Sequence, residues 1–420
     1  MQRLAHRRRR AALLHAAAAL ALLGGCASYS PKPLPTQSSL AHELPALGSA
    51  SGSQAPADGP GAPAPQGLDM LQLATVAVLR NPDLRLARDA AGVAQAQAFA
   101  AGLLPDPQLS LTRDFPSNGG PANVSAFNLG LSYDIAALLV HPSVTAAAQA
   151  EGRKAQLDVL WQEWQAISRT RTLFVDIAAQ EQTADVLRRE RELLATQYRR
   201  SQQSQAQGNM TQTSAMQQLA ALQDMERRVS DTQRQIEKSR HELNALLGLA
   251  PELRLTLRPG AQPPSLTRAQ VAAALQGLPQ CRPDLLALQA GYQGQEERLH
   301  GAILAQFPSL TVGITRARDT SNLYSSGFGI TVNLPIFNRN RGAIAVQTAT
   351  RQQLFDAYQN RLNAAHGDSQ RLLADRALLR QQLAQAQQGV AQLEDAQRRA
   401  QGAFDAGNLD LLAYGALRGA

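Results

Sequence analysis

Residues 127–135 read FNLGLSYDI, and residues 328–336 read FGITVNLPI. In both stretches large apolar side chains alternate with small or polar ones, which predicts a β-strand with one apolar face. Such a strand suits a soluble hairpin packed on a helix, or a transmembrane strand with lipid on one side and water on the other. Because the second face is small and polar throughout, we expect a water-filled lumen there. Its predicted lining residues are Asn128, Ser132, Asp134, Thr331 and Asn333.

Both stretches belong to a longer internal repeat. The sequence matches itself without gaps at an offset of 201 positions, beginning where Pro82-Asp83-Leu84 meets Pro283-Asp284-Leu285. Pro107 then matches Pro308, and Phe127 matches Phe328. Farther along, at an offset of 199, Gly208-Asn209 matches Gly407-Asn408. A fixed offset of this length indicates a duplicated unit.

Each unit is predicted to run helix, β-hairpin, long helix. The first helices, expected at 82–104 and 283–305, open on Pro and Asp and stop at prolines. The strands are expected at 108–113, 124–135, 309–316 and 326–335. The long helices, expected at 144–207 and 343–404, each end at a Gly-Asn pair, a common C-terminal signal.

A further helix is expected between Asn209 and Gly248. Its heptad positions alternate Leu and Val with Thr and Ser, which is typical of a weak coiled coil. Helices this long with narrow apolar stripes need neighbours on both sides. The predicted fold class is therefore mainly α with transmembrane β, a tandem repeat of long coiled-coil helices and β-hairpins.

The N-terminus has the pattern of an export signal. A basic run to Arg10 precedes a short apolar stretch that ends in Gly24-Gly25-Cys26. This predicts a signal peptide over 1–25 and lipidation of Cys26; the alternative is an ordinary signal peptide with an incidental cysteine. Residues 26–66 are rich in Pro, Ala, Gly and Ser and are expected to be a flexible tether. The repeats are placed at 67–249 and 266–420, joined by a linker at 250–265.

The composition excludes several classes of protein. The formal net charge is +8, but five arginines lie in the first ten residues, and later charges of both signs alternate along helices, which argues against nucleic-acid binding. The seven histidines are scattered without metal-ligand spacing, and no catalytic motif is found. We therefore predict no enzyme activity, no metal site and no cofactor. The second cysteine, Cys281, is expected in a short turn without a role.

Four strands cannot close a membrane barrel, and open strand edges are not tolerated in hydrocarbon. If the hairpins span a membrane, several chains must share one barrel, and the long helices would extend it as a tube. The sequence thus predicts a conduit.

The chain resembles the TolC-like outer-membrane efflux family over residues 68–420. The resemblance is carried by Asn81-Pro82-Asp83-Leu84, by the segment 102–107 before the first strand, by the segment 334–342 after the last, and by the Gly208-Asn209 turn. It implies a homotrimer with an α-helical tunnel and a shared twelve-stranded barrel in the bacterial outer membrane, lipid-anchored, with the tunnel in the periplasm. Pro105-Asp106-Pro107 and the segment 337–342 look most like the branch that serves heavy-metal pumps.

The same resemblance implies two protein partners, a periplasmic adaptor and an inner-membrane pump. The adaptor would contact the helix tips at Gly208, Asn209, Gly407 and Asn408. Asp410 matches the position of a periplasmic gate acid in some members, although the neighbouring acid is replaced by Ala413. The cargo would be metal ions, drugs or other small solutes. The competing class is a structural periplasmic coiled-coil lipoprotein or adaptor with no channel.

The second unit departs from the family after Asn408, where only about a dozen residues remain. The final returning helix is expected to be mostly missing, which would reflect a fragment, a shifted reading frame or a different way of closing the tube.

Overall fold

The computed structural model describes residues 29–44, 67–117, 123–258, 266–409 and Tyr414. The chain divides into two units, Met1–His42 and Glu43–Ala420. The described part of the first unit, residues 29–42, contains no helix or extended strand. The predicted signal peptide, Cys26 and the gate candidate Asp410 all lie outside the described residues.

The second unit is mostly helical, with one small sheet. Its described elements are α1 (Met70–Arg80), α2 (Pro82–Gly102), β1 (Gln108–Asp114), β2 (Ala126–Asp134), α3 (Ile135–Ala206), α4 (Gln212–Leu246), α5 (Arg268–Gln276), α6 (Leu278–Cys281), α7 (Pro283–Leu304), β3 (Ser309–Arg318), β4 (Tyr324–Asn333) and α8 (Arg341–Asp405). At 1.5 Å per residue, the 72 residues of α3 extend about 108 Å. None of the helices in the described ranges holds an apolar stretch long enough to cross a bilayer.

The long helix α3 begins earlier than the expected boundary at 144. The Asp134 carboxylate accepts hydrogen bonds from the backbone N–H groups of Ala136 and Ala137, so it caps the helix directly at the end of β2. Ile135, expected in the strand, is therefore the first helical residue. Pro142 lies inside α3, where it removes one hydrogen bond from a very long ladder without ending the helix. At the other hairpin β4 ends at Asn333, since Pro335 cannot continue a strand ladder.

Three short helices, α1, α5 and α6, precede the predicted helices of the two halves. Capping boxes start two of them: Asp69 with Gln72 before α1, and Thr267 with Gln270 before α5. This signal is present in the sequence and would have located both helices. Cys281, expected in a turn, is the last residue of α6 and is exposed.

The largest buried cluster lies where α1, α2, α3 and the end of α4 meet, and a second, which includes Leu285 and Ala290, lies between α3 and α7. The fully buried apolar side chains of the first cluster include Leu73, Val76, Leu84, Ile177, Leu243, Leu247 and Leu249. Asn244 adds a polar anchor, because its Nδ2 donates to the backbone carbonyls of Ala250, Pro251 and Leu253 at 3.2, 3.3 and 2.8 Å. The first part of the segment predicted as a linker is therefore packed against α4.

Polar contacts join helix α8 to α7 at several points. Gln295 is buried and its Nε2 donates to the Gln347 carbonyl at 2.9 Å, and Gln289 Nε2 donates to the Tyr358 hydroxyl at 3.1 Å. Within the described part of α8 only Ala365 and Ala400 are buried. The helix thus depends on a few side-chain contacts for its position in the monomer.

The strongest of these contacts is an ion-pair cluster at the start of α7. Asp284, with 9% of its side chain exposed, accepts from Arg282 Nε at 2.7 Å and from Arg361 Nε at 2.5 Å. Both guanidinium groups also lie over the Trp161 ring of α3, at 4.9 and 5.2 Å. Burial by itself raises the pKa of Asp284, but the hydrogen bonds and charges of the two arginines together lower it below its usual value. The cluster joins α3, α7 and α8.

We expect Asp284→Asn to lower the free energy of unfolding by about 1–3 kcal/mol, because two arginines lose their carboxylate. This loss is smaller than the loss expected from breaking a fully buried ion pair, because 34% of the Arg361 side chain is exposed. A carboxylate with a lowered pKa stabilises the fold above its unfolded pKa of about 3.9, and this contribution is lost as the pH falls through the folded value. Thermal unfolding followed by circular dichroism should therefore give Asp284→Asn a lower unfolding temperature than the wild type at pH 7, and equal temperatures at strongly acidic pH.

The matched control is Asp83→Asn, since Asp83 occupies the corresponding position in the first half but is exposed. We expect this variant to lose only the small contribution of a charge at a helix N-terminus, less than about 1 kcal/mol, and so less than Asp284→Asn loses. Equal losses in both variants would show that the cluster contributes nothing beyond the helix N-terminus.

Candidate transport surface: the two-faced sheet and the helix turns

The four strands form one antiparallel sheet in the order β1-β2-β3-β4. Residues directly opposite each other in such a sheet place their side chains on the same face. One row across all four strands is Ser110, Gly130, Thr315 and Gly327, and a neighbouring row is Leu109, Leu131, Ile314 and Phe328. The register therefore sorts small and polar residues to one face and apolar residues to the other.

The polar face holds every strand residue predicted to line a lumen. Its members are Gln108, Ser110, Thr112, Asp114, Ala126, Asn128, Gly130, Ser132, Asp134, Ser309, Thr311, Gly313, Thr315, Ala317, Ser325, Gly327, Gly329, Thr331 and Asn333. This face is crowded at β1 and β2, where a Cβ placed on Gly130 would lie only 2.6 Å from Ser110 Oγ, and open at β4, where a Cβ on Gly329 would meet no atom of the described residues within 4 Å. Small residues where neighbouring side chains converge suit the inner face of a curved sheet.

The apolar face is open to solvent in the single chain. Leu109 and Leu111 are 72% and 71% exposed, and Phe328 and Ile330 are 69% and 58% exposed. The 10-residue strands β3 and β4, once tilted, cover the roughly 25 Å height of an outer-membrane apolar band, whereas β1, with 7 residues, covers about two thirds of it. A contiguous apolar patch of this kind is rare on soluble monomers and marks a surface that another phase or molecule covers.

The two predicted tips have the same backbone geometry. At the end of α3, Gly208 adopts φ +76°, and Asn209 N donates to Ser204 O at 2.8 Å. At the end of α8, Gly407 adopts φ +74°, and Asn408 N donates to the Ala403 carbonyl, also at 2.8 Å. Glycine is favoured at both positions because other residues are strained in this left-handed conformation. The chain thus presents two matching turns at the ends of its two longest helices.

Helix α8 leaves an apolar stripe uncovered. The exposed side chains are Val346, Phe355, Leu372, Leu378, Leu379, Leu383, Val390 and Leu393. Within the described residues α7 is its main packing partner, whereas α3 packs against α2, α4 and α7. A helix with such a stripe needs a further helical neighbour.

Metal chemistry finds no support in the described part of the chain, where no group of three or more His, Cys, Asp or Glu side chains is placed to hold an ion.

Comparison with known proteins gives matches among solved structures only. No family model matches the chain, and no curated protein does. The chain is similar to CusC, described in connection with transmembrane channel formation, with 19% identity, a TM-score of 0.67 and coverage of 84% of this chain and 86% of that one.

Two further structures of bacterial channels show the same likeness. The CmeC outer-membrane channel of Campylobacter jejuni is 20% identical, with a TM-score of 0.69 and coverage of 83% and 79%. The outer membrane protein VceC of Vibrio cholerae is 18% identical, with a TM-score of 0.67 and coverage of 83% and 88%. The chain therefore has the fold of bacterial outer-membrane channels.

Proposed function

We propose that the chain is the outer-membrane channel subunit of a tripartite efflux pump and acts as a passive conduit. The register of the sheet supports this most directly, because it gives all four strands a polar face and an exposed apolar face. That is the arrangement of a strand between lipid and a water-filled lumen. No catalytic role is proposed.

The free edges of the sheet support a barrel shared by several copies, and the resemblance sets their number at three. Among the described strands β1 and β4 each pair on one side only, and unpaired strand edges are not tolerated in hydrocarbon. Three chains joined edge to edge would form a closed barrel of twelve strands without edges. The order helix, strand, strand, long helix occurs twice, around β1–β2 and around β3–β4, which supports a duplicated unit that contributes two hairpins.

The helices would continue the barrel as a tunnel into the periplasm. The uncovered stripe of α8 would then pack against helices of a neighbouring chain. The turns at Gly208-Asn209 and Gly407-Asn408 would meet the periplasmic adaptor, which links the tube to the inner-membrane pump. Asp410 is proposed as a gate residue on the resemblance alone.

Lipidation of Cys26 would anchor the mature chain in the outer membrane through the tether at 26–66. The sequence pattern at Gly24-Gly25-Cys26 is its support. Incorporation of labelled palmitate into the wild type but not into Cys26→Ser is the expected result.

The competing function is a periplasmic coiled-coil lipoprotein or adaptor without a channel. This function explains the long helices, but it does not explain why the sheet has an exposed apolar face. The two functions differ in whether the sheet contacts lipid.

A pair of adjacent substitutions tests lipid contact. Leu131→Lys puts a charge on the apolar face at a cost of about 2–4 kcal/mol per chain, so we expect the membrane-inserted oligomer to fall at least about tenfold. The matched control Ser132→Lys changes the polar face, so the oligomer should form and its ion preference should shift toward anions. Mobility of unboiled samples in detergent gels and reversal potentials in planar bilayers measure the two effects.

Equal tolerance of lysine at both positions would contradict a lipid-facing sheet. A detergent-free soluble protein with a purely helical spectrum would favour the coiled-coil alternative instead.

For the cargo we propose metal ions first, on the resemblance carried by Pro105-Asp106-Pro107 and the segment 337–342. A passive tube takes its specificity from the pump it serves, so drugs and other small solutes are the alternatives. Deleting the gene should lower tolerance to metal ions more than tolerance to drugs. Unchanged metal tolerance with lowered drug tolerance would assign the channel to a drug pump.

A further inference from the structure

Three arginines lie together at one end of the otherwise apolar face. The register places Arg113, Phe127, Arg318 and Tyr324 in a single row across the four strands, with Arg316 in the next row. This row borders the hairpin turns, at the end of the sheet away from the helices. In the proposed barrel, with its helices in the periplasm, the row lies at the outer leaflet of the membrane.

Among the described residues, no acidic side chain balances the charge of these three arginines. Arg113 and Arg318 bind neutral groups: Arg113 Nη2 donates to Ser125 Oγ at 3.2 Å, and Arg318 Nη2 donates to the Ser125 carbonyl at 2.7 Å. Arg316 is exposed, and its guanidinium has no partner among the described residues. No carboxylate in the described ranges pairs with any of the three, and residues 118–122 of the neighbouring loop carry no ionisable side chain.

The two nearby acids are directed elsewhere. Asp114 follows Arg113 in β1 and therefore projects from the polar face. The Asp319 carboxylate accepts from the backbone N–H groups of Ser321 and Leu323, both at 2.9 Å, and so closes its own turn. Within the part of the chain that the structure describes, the arginines thus form a cationic group without a counter-charge on the membrane-facing side.

Ser125 holds two of these cations near each other. Arg113 and Arg318 both donate to its Oγ, at 3.2 and 3.4 Å, although like charges at short range repel. The Arg318 Nε–H is buried and has no acceptor among the described residues. A bound anion would relieve the repulsion, and planar guanidinium groups suit phosphate oxygens in particular.

The surroundings indicate an anion that also carries acyl chains. The Arg318 guanidinium lies 5.6 Å from the Phe127 ring and 6.0 Å from the Tyr324 ring, and these rings meet edge to face at 6.3 Å. Aromatic and arginine side chains of this kind occupy the level of lipid headgroups. Leu109, Leu111, Phe328 and Ile330 continue the same face toward the helices and are exposed.

We propose that Arg113, Arg316 and Arg318 form a binding site for the phosphate groups of an outer-leaflet lipid, with its acyl chains on the apolar face below. A lipid is favoured over free phosphate because the site opens onto that apolar face. The site rests on the proposed barrel in the outer membrane, since a soluble sheet would meet no lipid there.

The test uses the full-length chain purified as a detergent-stable oligomer. The probe is a bis-phosphorylated, multiply acylated glucosamine disaccharide lipid, and native mass spectrometry counts the copies retained. The triple variant Arg113→Gln, Arg316→Gln, Arg318→Gln should retain it at least about tenfold less well than the wild type. The matched control Arg227→Gln, Arg228→Gln, Arg234→Gln removes the same charge from exposed positions of α4 and should behave as the wild type.

Two further arms use the wild type alone, so they do not depend on the folding of a variant. The same lipid without its phosphates should be retained at least about tenfold less well, and inorganic phosphate should not displace the phosphorylated lipid. Equal retention of the two lipids, or displacement by inorganic phosphate, would overturn the lipid-phosphate site. An oligomer that forms the barrel but shows either result leaves the proposed function intact. A chain that forms no membrane oligomer overturns both proposals.

Discussion

A strand edge exposes a row of backbone N–H and C=O groups, and a bilayer offers no partner for them. In this chain the sheet has two such edges, β1 and β4, together with an apolar face that water does not favour. If the edges of three copies pair, the backbone groups of the edges gain hydrogen-bond partners. If lipid also covers the outer side, the apolar face is no longer exposed to water. The closed barrel of the proposed function follows from this requirement, and the tunnel follows because the helices continue from the ends that the hairpins fix; the number of three chains rests on the resemblance.

The helical part reflects the same dependence on neighbours. Its buried core lies where α1, α2, α3 and α4 meet and continues along the contact between α3 and α7, whereas long stretches of α8 have no cover among the described residues. Polar contacts compensate locally, above all Asp284 between Arg282 and Arg361. Such contacts fix direction and spacing more than they add stability, which suits a helix that gains most of its packing from other chains.

The segment that opens the first helix of each repeat, Asn81-Pro82-Asp83 or Arg282-Pro283-Asp284, makes different contacts in the two repeats. Asn81 caps α2 through Leu84 N at 2.8 Å, and its Nδ2 donates to the Leu246 carbonyl at the end of α4. The corresponding residue, Arg282, makes no such cap and instead binds Asp284 and covers Trp161. Asp83 is exposed whereas Asp284 is buried, although both follow a proline at the start of a helix. The sequence match identifies corresponding residues in the two repeats, but the side chains packed around each residue determine which contacts it makes.

Periodicity and breakers in the sequence determined the strands, the helix order and the Gly-Asn turns, because these depend on residues close together along the chain. The start of α3 differs from the predicted boundary because Asp134 caps the helix at Ile135 and because Pro142 is accommodated inside it. The short helices α1 and α5 were missed although their capping boxes are local. Only the tertiary structure decided that two hairpins some 170 residues apart pair in one sheet, with Arg113, Arg316 and Arg318 on one face. It also decided that Asp284 is buried between two arginines. The physical reason is that pairing, burial and charge grouping depend on residues far apart in sequence.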